Sequence, residues 1–282
     1  MATLAPLSAK AKLIALPILT APPVTKATFP LISTGAEATT RPTGGQEISM
    51  KIAKFNGQPE IYYSIQGEGK NSGRPSVFVR LSHCNLSCIW CDTPYTWNWE
   101  KFKMREEMME MPVQEVASEI KKYSCKHVVL TGGEPMLQQK ELIEFMRFLT
   151  GKNYFFEVET NATLIPTPEF NLFVNQYNCS PKLANSENSL NLREEKGALE
   201  FFSKSPKAFF KFVIVFPQDL QEVCQLTDRY KIPKEKIYLM SEGTTSEELK
   251  ERQRWLAGLC KETGFLLTDR LQIHIHGPKR GV

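Results

Sequence analysis

Three of the chain's seven cysteines fall within one short stretch, CNLSCIWC, at positions 84–91. Cys84, Cys88 and Cys91 are spaced C-x3-C-x2-C, so their sulfurs can converge from a single loop. Thiolates are soft ligands suited to an iron–sulfur cluster or to zinc. A structural zinc site would want a fourth ligand, for which His83 or a distant residue such as His127 is available. Three thiolates on a four-iron cluster instead leave one iron open, as direct binding of a substrate or cofactor to that iron requires. The spacing i, i+4, i+7 is also one face of a helix, where the three would be small buried hydrophobes. Asn85 and Ser87 between them, with Pro94 shortly after, disfavour that third reading.

A second stretch, TGGEP (Thr131 to Pro135), could also do chemistry. Gly132 and Gly133 let the backbone approach a ligand closely, and Glu134 puts a carboxylate at a strand end where an ammonium could bind. Alone the signal is weak, because Gly-rich turns between strand and helix are common and Pro135 suits a first helical position. Beside the cysteine loop it is specific.

These groups must be carried by regular elements. SVFVRL, immediately before the cysteine loop, is an apolar run read as a strand. PVQEVASEIKKY opens on Pro112 and repeats its apolar residues at helical spacing. KHVVL is a strand again, and a helix with apolar Leu142, Ile143, Phe145, Met146 and Leu149 runs up to Gly151. YFFEVET, FFKFVIVF, KIYLM and RLQIHI follow as strands, separated by the helical segments DLQEVCQLTDRY and SEELKERQRWLAGLCKE. About six or seven strands alternating with helices predict parallel βαβ units, and so an α/β fold of open or partial β/α barrel type. Reacting groups in such folds sit at the carboxyl ends of the strands, where both motifs fall.

With 282 residues, 41% hydrophobic and 23% charged, the chain can bury a sizeable core. A formal charge of +4 is slight for this length, and its Lys and Arg are interspersed with acids, so no nucleic-acid surface is expected. No stretch approaches the roughly 20 consecutive apolar residues of a membrane span, so no membrane partner is expected. Cys125, Cys179, Cys224 and Cys260 are scattered, and the odd total argues against a disulfide framework and for a reducing, cytoplasmic setting. Residues 1–49 are rich in Ala, Thr and Pro, poor in acids and without a sustained period, and are expected to be a disordered extension. An organelle transit peptide is one reading of them; an upstream extension, with Met50 opening the folded chain or even translation, is favoured.

C-x3-C-x2-C followed by a downstream GGEP resembles the radical S-adenosylmethionine (radical SAM) superfamily. The resemblance implies a 4Fe–4S cluster on Cys84, Cys88 and Cys91, with S-adenosylmethionine chelating the fourth iron. It implies that Gly132, Gly133 and Glu134 meet the methionine ammonium. Glu159, Thr160 and Asn161 of ETN, and Ser180 and Lys182 of SPK, would be further cofactor contacts, against the plainer account of strand-end polarity. Residues 50–282 would form one radical SAM catalytic domain.

YYSIQGEGKNSGRPSVFVRLSHCNLSCIWCDTPYTWNW (Tyr62 to Trp99), together with RLQIHIHGPKRGV, closely resembles the 7-carboxy-7-deazaguanine synthase family, and the match runs from about Lys51 to Val282. That family of lyases converts 6-carboxy-5,6,7,8-tetrahydropterin into 7-carboxy-7-deazaguanine with loss of ammonia, towards queuosine and related deazapurines. By this resemblance Arg80 would pair bidentately with the substrate carboxylate. Gln66, Glu68, Asp92 and His276 would contact the substrate, and Thr93 would offer an oxygen to Mg2+. A homodimer and a reducing electron-donor protein are implied as partners.

Each has a plainer account: a surface ion pair for Arg80, turn decoration for Gln66 and Glu68, a helix N-cap for Thr93, a satisfied strand residue for His276. His83 stands where the family commonly has Gly. The segment TPYTWNWEKFKMREEMMEMP replaces the usual core helix with something short and aromatic, whose Trp97 and Trp99 either cover the cluster or only pack. A protein-activating radical SAM enzyme shares the cysteine loop and GGEP but has no reason for QGEG, CDT or the tail. A zinc-binding interaction module shares only the cysteines.

Overall fold

The computed structural model describes residues 47–282. Most of the expected extension, residues 1–46, lies outside them, and the first strand already begins at Ser49. The strands are β1 Ser49–Phe55, β2 Gln58–Pro59, β3 Ile61–Ile65, β4 Pro75–Leu81, β5 Met108–Pro112, β6 His127–Gly132, β7 Phe155–Thr160, β8 Gln176–Cys179, β9 Ala208–Ile214, β10 Ile237–Ser241 and β11 Leu266–Thr268. The helices are α1 Met104–Glu107, α2 Val113–Lys121, α3 Gln139–Arg147, α4 Pro168–Phe173, α5 Leu190–Arg193, α6 Lys196–Lys204, α7 Asp219–Tyr230, α8 Ser246–Thr263 and α9 Leu271–His276.

All eleven strands join one sheet in the order β11-β10-β9-β8-β7-β6-β4-β1-β2, with β3 on β4 and β5 on β1. From β4 through β6 to β11 every pairing is parallel. β1, β2, β3 and β5 add antiparallel pairings at the other flank. The sheet has two free ends and does not close, so the architecture is the expected partial barrel.

Sequence chemistry explains the frame. Val77, Phe78, Val79 and Leu81 of β4 are buried, as a parallel strand covered on both faces requires. α2 buries Val113, Val116, Ala117 and Ile120, and α3 buries Leu142, Ile143, Phe145 and Met146, each set on one helical stripe. α8 opens on a reciprocal capping box between Thr245 and Glu248 and closes on Gly264 at φ +78°. The largest fully buried side chains, among them Tyr177, Phe145, Phe170, Phe202, Phe210 and Phe212, fill the space between sheet and helices. No helix among the described residues is long and apolar enough to cross a membrane.

One expected strand is a helix. RLQIHI alternates apolar residues like a strand, yet Leu271–His276 is α9, and Ile275 is exposed. β11 already holds the sheet edge, so the tail turns away from the sheet. Leu271 N instead donates to Gly67 O of the QGEG turn. The aromatic segment after the cysteines also ends in a strand not expected from sequence, β5, which pairs with β1 over five residues.

Candidate active site

The carboxyl ends of the parallel strands enclose a cavity of about 250 Å³, and Cys84, Cys88 and Cys91 all line it. The loop that bears them follows β4 and is tied to the TGGEP turn after β6. Gly133 N donates to Leu81 O (3.0 Å) and Glu134 N to His83 O (2.7 Å). The glycine pair is obligatory for that approach. A Cβ on Gly132 would lie 2.1 Å from Leu81 O, and one on Gly133 would lie 1.9 Å from His83 O. His83 itself has φ +75°, which explains a preference for Gly there; its ring packs tilted on Trp99 at 5.5 Å.

Each sulfur faces a side-chain N–H. Asn188 Nδ2 donates to Cys88 Sγ at 3.2 Å, Trp97 Nε1 to Cys91 Sγ at 3.3 Å, and Asn161 Nδ2 to Cys84 Sγ at 4.0 Å. Trp97 therefore covers the sulfur of Cys91, while Trp99 packs. Without a metal, burial and then the Glu134 carboxylate push the Cys84 thiol up to about 12. Burial likewise raises Cys88, against the lowering influence of Lys182. Ligation must supply the energy of deprotonation. Among the described residues no three His, Cys, Asp or Glu side chains are disposed to share one metal ion.

Glu134 is placed differently from the glycines before it. It is fully buried and stands outside the cavity lining. Its carboxylate accepts from Met136 N (3.0 Å), Thr160 Oγ1 (2.8 Å) and Asn161 N (2.7 Å), so it staples the TGGEP turn to the end of β7. Burial drives its carboxyl above the ordinary value, and those bonds partly offset the shift. Gly132, Gly133, Thr160, Asn161, Ser180 and Lys182 do line the cavity, with Lys182 Nζ donating to Ser180 Oγ at 2.9 Å.

The rest of the lining is dense in charge. Glu68 Oε2 pairs with Lys211 Nζ at 2.5 Å, and its Oε1 accepts from Arg270 Nε (3.2 Å) and Gln272 Nε2 (2.7 Å). Burial alone would raise the Glu68 carboxyl; the two cations and these bonds outweigh it and hold the group at about 2. Arg270 also pairs with Asp92 and donates to Gly243 O, so it bridges QGEG to the CDT segment. Lys211 reaches Glu159 at 3.1 Å, and Gln66 Nε2 donates to Glu157 (2.6 Å) and Glu159 (3.1 Å). Burial, the first cause, raises Glu159, with neighbouring Glu157 and Glu68 adding to it against Lys211.

Arg80 lines the cavity, but its side-on fork is engaged. Nε donates to Glu60 Oε1 and Nη2 to Tyr62 Oη, both at 2.7 Å. Only its end-on edge, Nη1 and the second hydrogen of Nη2, remains for a ligand. Thr93 occupies the N-cap position of a short 3-10 turn, Pro94–Thr96, yet its hydroxyl makes no capping bond and lines the cavity. His276 is not part of the lining. The helical turn of α9 brings Gln272 there instead, and Gln272 Oε1 is buried with no hydrogen-bond partner among the described residues.

Lys211, Arg270, Gln272 and Tyr62 were not foreseen. The one signal for Lys211 is a charge alone in FFKFVIVF, since a buried lysine demands carboxylate partners. Nothing local marks Arg270 or Gln272.

An open parallel sheet with three thiols and a glycine turn at its strand ends is a radical SAM architecture, and a Radical SAM superfamily sequence model matches residues 79–174. The chain is 38% identical over 223 residues to the 7-carboxy-7-deazaguanine synthase of Pyrobaculum aerophilum, covering 79% of this chain and 95% of the relative. It is 35% identical over 237 residues to that of Halobacterium salinarum, covering 76% and 88%. The crystal structure of QueE from Escherichia coli shares the fold, with a TM-score of 0.59 at 23% identity over 79% of this chain and 94% of that chain. The chain belongs to the 7-carboxy-7-deazaguanine synthase family.

Proposed function

We propose that the protein is a radical SAM lyase that converts 6-carboxy-5,6,7,8-tetrahydropterin into 7-carboxy-7-deazaguanine with loss of ammonia, a step towards queuosine. The observation that carries this reading is one cavity lined both by three thiols and by the Glu68, Lys211, Arg270 and Arg80 charges. Cys84, Cys88 and Cys91 would hold a 4Fe–4S cluster, which with S-adenosylmethionine would supply radical chemistry at this cavity.

The chain's own residues bind and orient. Cys84, Cys88 and Cys91 hold the cluster, and the N–H groups of Asn161, Asn188 and Trp97 stabilise the thiolates. Gly132, Gly133, Thr160, Ser180 and Lys182 line the cofactor's share of the cavity, while Glu134 fixes the turn that shapes it. Arg80 meets the substrate carboxylate end-on. Glu68, kept ionised by its two cations, accepts from the donor-rich pterin edge, with Gln66 beside it. Thr93 offers an oxygen to Mg2+, a hard cation that also takes the substrate carboxylate, and Asp92, held by Arg270, faces the substrate. A homodimer, a reducing electron-donor protein and a cytoplasmic setting complete the reading; the last is supported by seven cysteines that are all unpaired.

The test is turnover. Protein reconstituted without oxygen, given S-adenosylmethionine, a strong reductant, Mg2+ and the carboxypterin, should yield 7-carboxy-7-deazaguanine by mass spectrometry. Cleavage of S-adenosylmethionine with the pterin left intact would favour the protein-activating class instead.

A further inference from the structure

We propose that Arg280 is a positioning residue for substrate binding: acting through Glu60 and Tyr95, it keeps the end-on edge of Arg80 turned to the cavity. The inference rests on the reading that Arg80 meets the substrate carboxylate.

Glu60 lies between β2 and β3, and its side chain is 1% exposed. One oxygen, Oε1, accepts from Arg80 Nε (2.7 Å) and Tyr95 Oη (3.1 Å). The other, Oε2, accepts from Arg280 Nη2 at 3.0 Å. Two guanidiniums thus share one buried carboxylate, each confined to a single oxygen.

Arg280 is itself firmly held. Nη1 donates to Glu107 Oε2 and Nη2 to Lys54 O, both at 2.9 Å. Its guanidinium carbon sits 3.4 Å from the centroid of the Tyr95 ring and 4.9 Å from that of Phe55. It does not line the cavity, so its influence on a ligand runs through Glu60.

The physical consequence follows from guanidinium geometry. A planar fork beside a free carboxylate closes on both oxygens through Nε and Nη2. Arg280 occupies Oε2 and blocks that closure, which leaves Arg80 Nη2 on Tyr62 Oη at 2.7 Å. With Arg280 removed, Arg80 Nη2 would leave Tyr62 for Glu60 Oε2, and the end-on edge would turn out of the cavity.

Steady-state kinetics of the reconstituted holoenzyme test this. Arg280→Ala should raise the KM for the carboxypterin about tenfold, the loss of one charge-assisted hydrogen bond, with kcat changed less than about twofold and iron content kept. Arg280→Lys, which retains a donor for Oε2, should recover most of the loss. The same Arg280→Ala change made in an Arg80→Ala background should raise KM no further. If Arg80→Ala raises KM but Arg280→Ala does not, or if the two effects multiply, the positioning role is refuted while the assignment of Arg80 stands. If Arg80→Ala leaves KM unchanged, both fall. Should Arg280→Ala fail to hold iron, Arg280→Met takes its place, and a wild-type KM for it beside a raised KM for Arg80→Ala would equally refute the role.

Discussion

The cysteine loop and the charged lining of the cavity are built in opposite ways. The loop's three cysteines lie within eight residues, and the groups hydrogen-bonded to their sulfurs are neutral N–H donors from Asn161, Asn188 and Trp97. The charged lining is gathered from Glu68, Asp92, Glu159, Lys211 and Arg270, each on a different segment, and every member is paired. One region keeps soft thiols in a fixed local spacing, as metal ligation at that loop would require. The other spends ion pairs on orientation, because a buried charge without a partner is costly whatever it binds.

The largest expected effect is at the loop. Cys88→Ala should remove the iron, the visible absorption and all cleavage of S-adenosylmethionine, while the charged lining keeps its fold; full cleavage by this variant would sink the ligand assignment. Arg270→Ala should do the reverse. Glu68 and Asp92 lose their bridge, unfolding stability falls by about 3 kcal/mol and substrate KM rises, with iron content retained. An iron-free Arg270→Ala protein would show that the two regions are not separable.

A pH series sharpens the contrast. The Glu68 carboxyl is held at about 2 against an ordinary 4.5, so its contribution is fully present above about pH 4.5 and is lost as the pH falls towards about 2. The stability gap between wild type and Glu68→Gln should be about 3 kcal/mol at neutral pH and close across that window, by denaturant unfolding of metal-free protein. A gap that stays constant from neutral pH to about pH 3 would mean that Glu68 is not held by its cations. The smallest effect is at His83, where the thiol loop begins. His83→Gly relieves a left-handed residue and should stabilise the fold by less than about 1 kcal/mol without changing iron content, again by unfolding. A destabilised variant would show that the His83–Trp99 contact outweighs the backbone strain.

Much of this was legible in the sequence, and the limits have a physical cause. C-x3-C-x2-C, the paired glycines and QGEG are local: their spacing limits where their atoms can lie, so the thiol loop, the close turn and the βαβ frame follow from residues near one another in the chain. What only the tertiary structure decided is which distant side chains meet at the strand ends. It turned Glu134 inward as a staple and made RLQIHI a helix, because β11 already held the sheet edge. In place of His276 it brought Gln272 and Arg270 to the cavity. It also joined Glu68 to Arg270 across 202 residues and Glu60 to Arg280 across 220. Ion pairs at such separations leave no period or spacing in the sequence; only packing of the strands that carry them sets the distance between their charges.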